Sequence, residues 1–152
     1  MSRYRKPAVV GLAVALVLSG CGRSPPPIVP AEGVVLLNGH PLPNAEVRFV
    51  PTFEGLGAEY IATGVTDEQG HFKLTCPIHD GAPACEHRVT VTDGPVPEGA
   101  RGMSAAAQTK ASAFLAGLKN RPIPPDYGTV AKTPLLVTIS SGLTDYKLEL
   151  TR

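Results

Sequence analysis

Beyond residue 31 the chain is a series of short apolar or alternating stretches divided by turn residues, the pattern of an all-β domain. Residues 34–37 are apolar throughout and run into Asn38-Gly39, a pair suited to positive φ, which predicts a buried first strand ending in a tight turn. Ala45, Val47 and Phe49 alternate with Glu46 and Arg48 in a second strand with one core face. Residues 61–66 make a third strand, ending at Asp67-Glu68-Gln69-Gly70, where Asp67 can cap the turn and Gly70 can take the left-handed conformation. Phe72 and Leu74 face inward in a fourth strand, and Val89 and Val91 in a fifth. Leu135, Val137 and Ile139 mark the sixth. A turn at Ser140-Ser141-Gly142 predicts a hairpin from there to the seventh, which turns Tyr146, Leu148 and Leu150 inward.

The rhythm breaks between the fifth and sixth strands. Residues 93–102 are rich in proline and glycine, while residues 104–118 are rich in alanine and follow a capping candidate, Ser104. This predicts a helical insertion at about residues 103–119. Phe114, Leu115 and Leu118 share a stripe that predicts packing on a sheet face, with a docking surface as the alternative. Gly117 and Pro122 end the helix, and Pro122-Ile123-Pro124-Pro125-Asp126-Tyr127 returns the chain in extended form.

The N-terminus follows a different pattern. Arg3, Arg5 and Lys6 precede an apolar run over residues 7–18, shorter than the roughly 20 residues a transmembrane helix needs. The run ends in Leu18-Ser19-Gly20-Cys21, which resembles the lipobox of bacterial lipoprotein signal peptides. The resemblance implies that residues 1–20 are removed and that Cys21 becomes an acylated N-terminus. Two or three acyl chains, at about 0.8 kcal/mol per buried methylene, make such attachment permanent in practice. Gly22 stands where an inner-membrane retention Asp is often found in that group, so the resemblance favours the outer membrane. Residues 21–31 carry four prolines and are expected to form an extended tether, leaving residues 32–152 as the folded domain.

The stretch from Gly33 through Asn38-Gly39-His40-Pro41-Leu42-Pro43-Asn44-Ala45, then Val47, Phe49 and Pro51, resembles the opening of carboxypeptidase regulatory-like domains of bacterial envelope proteins. So does Thr63-Gly64-Val65-Thr66-Asp67-Glu68-Gln69-Gly70-His71-Phe72. Ile123-Pro124-Pro125-Asp126-Tyr127, followed by Thr133-Pro134-Leu135, looks like a C-terminal signature of small lipoproteins in that group. The resemblance implies a seven-stranded, transthyretin-like Greek-key sandwich serving as an accessory or adhesive module, with no catalytic residues to carry over. The insertion at residues 103–119 departs from the family's compact pattern and is where an activity peculiar to this chain would sit.

Charge and side-chain chemistry narrow the function further. Without Arg3, Arg5 and Lys6, the 14 basic residues fall to 11 against 13 acidic, a net charge of −2 that gives nucleic acid no attraction. With Cys21 committed to lipid, Cys76 and Cys85 remain as a pair in an exported chain, and a disulfide between them is expected. If the fourth and fifth strands form a hairpin with the cysteines opposed, Leu74 faces His87 and Phe72 faces Val89, so the apolar faces agree. The spacing of the pair is not that of a zinc ribbon or a thioredoxin motif. His40, His71, His79 and His87 lack the spacing of a helical metal site, and a site made by His79 and Asp80 with His40 or His71 is the sharper alternative to scattered surface residues.

Ser104 after Gly102-Met103 lacks the second glycine of a nucleophile elbow, and Gly55-Leu56-Gly57 reaches Tyr60 where a dinucleotide fingerprint needs glycine. Asp67 and Glu68 lie in one tight turn with too few oxygens for calcium. No cofactor, metal or catalytic residue is expected. For a glycan the chain offers no Trp, and its platform candidates are Tyr60 and Tyr127. The expected role is a non-enzymatic, lipid-anchored envelope module that is structural or binds another protein, with carbohydrate or small-ligand binding as the alternative. An exposed sheet edge is the expected docking route.

Overall fold

Alternating burial along each strand assigns its faces in the computed structural model, which describes residues 24–152. In chain order the strands are β1 (Ile28–Val29), β2 (Glu32–Leu37), β3 (His40–Pro41), β4 (Ala45–Pro51), β5 (Ala62–Val65) and β6 (His71–Lys73). They continue as β7 (Thr75–Cys76), β8 (His79–Asp80), β9 (Ala82–Pro83), β10 (Glu86–Asp93), β11 (Leu136–Thr138) and β12 (Asp145–Leu150). One α-helix among the described residues, α1 (Ala105–Gly117), lies between β10 and β11. The described residues are thus mostly β, with one α-helical insertion.

One antiparallel sheet has the order β11-β10-β4-β5-β7-β8. A second has the order β12-β2-β3, with β6 also paired to β2, and there β12 runs parallel to β2. Each of the seven stretches predicted from alternation contains a strand, and the predicted inward residues Val47, Phe49, Leu74, Val89, Val91, Leu148 and Leu150 are fully enclosed. The sheets share one core. Phe49 of the first sheet meets Phe72 of the second at 6.1 Å between ring centroids, so Phe49→Ala would cost about 3–5 kcal/mol. Gly33 permits the tight pairing of β2 with β12, because a Cβ there would lie 1.9 Å from the Tyr146 carbonyl oxygen.

Several connections differ from expectation. The fourth and fifth strands are not a hairpin: the chain changes sheets at Leu74, whose N–H bonds the Ala31 carbonyl and whose carbonyl accepts from Gly81. Phe72 therefore stands opposite Gly33, and Val89 opposite Phe49. The sixth and seventh strands also part, β11 joining β10 and β12 joining β2. The turn between them crosses to the other sheet, held by Tyr146, whose hydroxyl donates to the Leu143 carbonyl at 2.8 Å and accepts from Ser140 N–H. Alternation fixes which side of a strand is buried, and both routes satisfy it.

The domain also begins earlier than residue 32. Ile28 and Val29 pair with Pro83 and Ala82, the Pro27 carbonyl accepts from Ala84 N–H at 2.8 Å, and Ala31 is buried. The second half of the expected tether is thus part of the folded unit. Prolines confined to this edge position keep the pairing brief.

α1 forms where alanine content and the Ser104 cap predict it, with Ser104 Oγ accepting from Ala107 N–H at 3.2 Å. Its expected docking on a sheet face does not occur. Ala107 is its one buried residue, its neighbour is the turn at Glu98–Ala100, and Leu115 remains exposed. Phe114, Leu115 and Leu118 are too few, on a helix that is otherwise Ala, Ser, Thr, Lys and Gln, to bury much area against the sheets.

β4 and β10 give the molecule two distinct ends. They pair over the whole of β4, from His87 opposite Pro51 to Asp93 opposite Ala45. Seven residues at about 3.3 Å each separate the ends by about 20 Å. One end carries residues 25–28, the loop after β4 and the start of β10. The other carries the β2–β3 turn, the Asp67 turn and the insertion.

Candidate functional site

The end that bears the insertion is built from three turns, at Asn38-Gly39, Pro43-Asn44 and Asp67 to Gly70, with a pair of side chains that clasp the first two. Asn38 and Gly39 have φ of 51° and 78°, as the sequence demands of a tight hairpin turn. Asp67 Oδ1 accepts from the N–H groups of Gln69 and His71 at 2.9 and 2.8 Å, and Gly70 takes φ 81°, so this turn is formed as expected. Thr66 anchors it from beneath, its hydroxyl donating to the Leu42 carbonyl and accepting from Ala45 N–H.

The chain leaving α1 is fastened to the first two of these turns. Asn120 Nδ2 donates to the carbonyls of Leu37, His40 and Pro41 at 3.0, 3.0 and 3.2 Å. Arg121 donates to the carbonyls of Pro43 and Asn44 and pairs with Asp93. Arg152 closes the arrangement, donating to Asn120 Oδ1 and to the Arg121 carbonyl.

Two adjoining concavities result. One, of about 410 Å³, is lined by His40, Pro41, Pro43, Glu68, Lys119 and Asn120. The other, of about 390 Å³, is lined by Pro43, Glu68, Gln69, Gly117, Leu118 and Lys119. They share Pro43, Glu68 and Lys119, so they form a groove between the insertion and the sheets, with a carboxylate and an ammonium on its walls. Proline faces and Leu118 supply apolar surface, and Asn120 holds the floor. The groove can therefore receive a polar segment carrying some apolar surface. A smaller concavity of about 330 Å³ lies by Glu32, Gly33, His71, Phe72 and Asp145.

The sequence candidates are dispersed. Cys21, residues 1–20 and the first part of the tether lie outside the described residues. Cys76 and Cys85 are free thiols, which corrects the expected disulfide; the hairpin that would have opposed them is not formed. Cys76 is buried in the small β7–β8 hairpin opposite His79, its Sγ donating to the His79 carbonyl at 3.1 Å. Cys85 precedes β10, and burial raises its thiol pKa against the lowering effect of a backbone hydrogen bond from Phe53.

Tyr127 is not a platform for a sugar. It is buried in the core, and its hydroxyl accepts from Thr151 N–H at 3.0 Å. Proline-rich flanks suggested an exposed return, but the turn Pro125–Gly128 rotates the ring inward. Tyr60 is half-buried at the opposite end, in the turn Ala58–Tyr60.

His40 borders the groove, His71 faces water near Asp67, and His79 is exposed. His87 is fully buried against Phe49, its Nδ1 3.0 Å from the Cys85 carbonyl, and desolvation lowers its pKa. Among the described residues no group of three or more His, Cys, Asp or Glu is placed to hold a metal ion. Ser104 Oγ is engaged as the helix cap, and Gly55-Leu56-Gly57 lies in the loop after β4.

Sequence reading missed Lys119, Asn120 and Arg121. Its available signal was an Asn three residues past the last helical residue, Gly117, in the stretch after a helix where Asn readily accepts left-handed φ, here 58°. What that Asn would then hold, some 80 residues away in the chain, left no local trace.

No family model matches the chain, and no curated protein matches it. Among solved structures it is similar to a 9R-lipoxygenase from Cyanothece PCC8801, at 19% identity and a TM-score of 0.39, over 82% of this chain. The chain spans 16% of that lipoxygenase's length, and a likeness at this level assigns neither family nor activity.

Proposed function

We propose that this chain is a non-enzymatic, lipid-anchored protein of the cell envelope, most consistent with the outer membrane, whose β-domain is a transthyretin-like Greek-key module for structural or protein-interaction work. The observation that carries the reading is Leu18-Ser19-Gly20-Cys21 after a basic start and a short apolar run. The opposed ends of the domain support it. Residues 25–28 enter at one end of β4 and β10, so the groove and α1 lie at the end directed away from the anchor. The turn at Asp67, with its double cap and left-handed Gly70, supports the family resemblance on which the finer fold rests. The groove end is where a partner would dock, between Glu68 and Lys119.

Intact mass and membrane fractionation of the wild type and Cys21→Ser test the anchor. The reading expects acyl mass and membrane retention for the wild type alone. If both behave as soluble cleaved proteins, the anchor and the location fall together. A photo-crosslinker placed at Lys119, compared with one at Leu136 on the exposed strand β11, tests the docking end in envelope preparations. A partner captured from position 119 alone is the expected result, and capture from position 136 alone would transfer the role to the sheet edge.

The groove also favours a second reading, a binding module for a small envelope ligand. Its two opposite charges, Glu68 and Lys119, suit a zwitterionic ligand, and retention of such a ligand that is lost in Lys119→Ala would shift the assignment.

A further inference from the structure

At the end opposite the groove, Pro25, Phe53, Leu56 and Tyr60 border a shallow concavity of about 210 Å³, with Glu54 and Glu59 at its rim. The position of this surface follows from neighbouring backbone bonds. Thr52 N–H bonds the Glu86 carbonyl at 2.9 Å, Ala84 N–H bonds the Pro27 carbonyl at 2.8 Å, and the loop after β4 therefore sits beside the point where the N-terminal segment joins the domain. The loop is shaped for exposure, since Gly55 has φ 88° and open space around it.

We infer that this surface is the membrane-contact face of the domain, resting on the headgroup layer of the bilayer that holds Cys21; the inference rests on the lipid-anchored reading. Its geometric support is the length of the leash. From Cys21 to Pro25 is four residues, which span at most about 14 Å when fully extended. The two ends of the domain are about 20 Å apart along β4. With so short a leash the domain cannot invert and lay its groove on the bilayer, and the end carrying Phe53, Leu56 and Tyr60, which borders Pro25, is held within reach of the lipid.

The chemistry of the surface fits the same place. Tyr and Phe present an apolar body at the depth where headgroups begin, and the Tyr hydroxyl can remain hydrated. Glu54 and Glu59 would be repelled by an anionic layer, but can pair with the ammonium of a zwitterionic headgroup such as phosphatidylethanolamine. The contact adds no attachment strength comparable to the acyl chains. Its effect is orientation: it directs the groove and α1 away from the membrane.

The chain contains no Trp, so Tyr60→Trp creates a single fluorescent reporter, with Phe53→Trp as a second. Leu118→Trp, in the groove, is the comparator. Each lipidated variant is checked for acyl mass and β-sheet circular dichroism. It is then reconstituted in phosphatidylethanolamine–phosphatidylcholine vesicles whose lipids are brominated near the headgroup. The expected result is quenching and a blue shift at positions 60 and 53, with little change at 118. Acylated, vesicle-bound protein in which neither loop reporter is quenched, or in which all three are quenched alike, overturns the contact face and leaves the anchor standing. Absence of acyl mass overturns the anchor itself, and the contact face with it.

Discussion

Arg121 pairs through Nε with the Asp93 carboxylate, joining the chain that leaves the insertion to the last residue of β10. The ion pair is the lesser part of this connection. The same guanidinium donates through Nη2 to the carbonyls of Pro43 and Asn44, at 2.7 and 3.1 Å, and only 14% of the Arg121 side chain is exposed against 52% for Asp93. Arg121→Ala is therefore expected to lower the unfolding free energy by about 2–3 kcal/mol, because part-buried carbonyls lose a charged donor. Asp93→Ala removes a solvent-screened partner and is expected to cost about 0–1 kcal/mol. Urea unfolding of both variants checks the order, and equal losses would mean that the ion pair carries the connection.

Asn120 tests the same clasp from the side of its amide. The two protons of Nδ2 are shared over three carbonyls, while Oδ1 accepts from Arg152. Asn120→Gly keeps the left-handed backbone and loses these bonds, and is expected to cost about 1–2 kcal/mol. Asn120→Asp keeps size, φ tolerance and the Arg152 contact, but turns a carboxylate oxygen toward the three carbonyls. It should be the less stable of the two in urea at neutral pH. Protonating the carboxyl restores a donor, so the gap between the variants should narrow as the pH is lowered.

These two residues show where local sequence stops informing. Strand faces were legible because burial on a pleated strand has period two: Val47, Phe49, Val89, Val91, Leu148 and Leu150 are all core as alternation demands. Turn chemistry was legible for the same local reason, at Asn38-Gly39 and at Asp67 to Gly70. Sheet membership was not, because Leu74 or Ile139 is equally well buried whether the chain folds back beside its neighbour or crosses to the opposite sheet. The disulfide expectation failed at that step. The clasp was hidden for a related reason, since Asn120 and Arg121 act on backbone carbonyls, which every residue presents alike. Tyr127 was misplaced because a proline-rich flank suggests exposure, while the turn it forms buries the ring.

His87 makes stability depend on pH. It is buried, Nδ1 carries the proton toward the Cys85 carbonyl in the arrangement this contact requires, and desolvation lowers its pKa below the ordinary 6.5. Below pH 6.5 the unfolded chain binds a proton that the folded chain does not, so stability is fully present above that pH and falls as the pH drops toward the folded pKa. The slope attributable to this one group is at most about 1.4 kcal/mol per pH unit. Urea midpoints for the wild type and His87→Gln between pH 7.5 and 5.5 check it. Gln is expected to be less stable at pH 7.5 through poorer packing against Phe49, and to show a shallower decline. Parallel declines would assign the pH dependence to other groups.

The two thiols should differ in reactivity without any reduction step. Cys76 is buried and donates its proton to the His79 carbonyl, whereas Cys85 is partly exposed beside the start of β10. Reactivity toward iodoacetamide follows the thiolate, and burial raises the Cys85 pKa, so native labelling at neutral pH should be slow and should accelerate well into the alkaline range. In the Cys21→Ser protein, kept free of reductant, Cys85 is expected to label first and Cys76 only after urea is added, giving two modified sites by mass spectrometry. An oxidising compartment makes the result decisive, because a pair within bonding geometry would close there. If no site labels in urea until reductant is added, residues 76 and 85 are bonded, and the segment from β7 to β9 must take a different path from the one described.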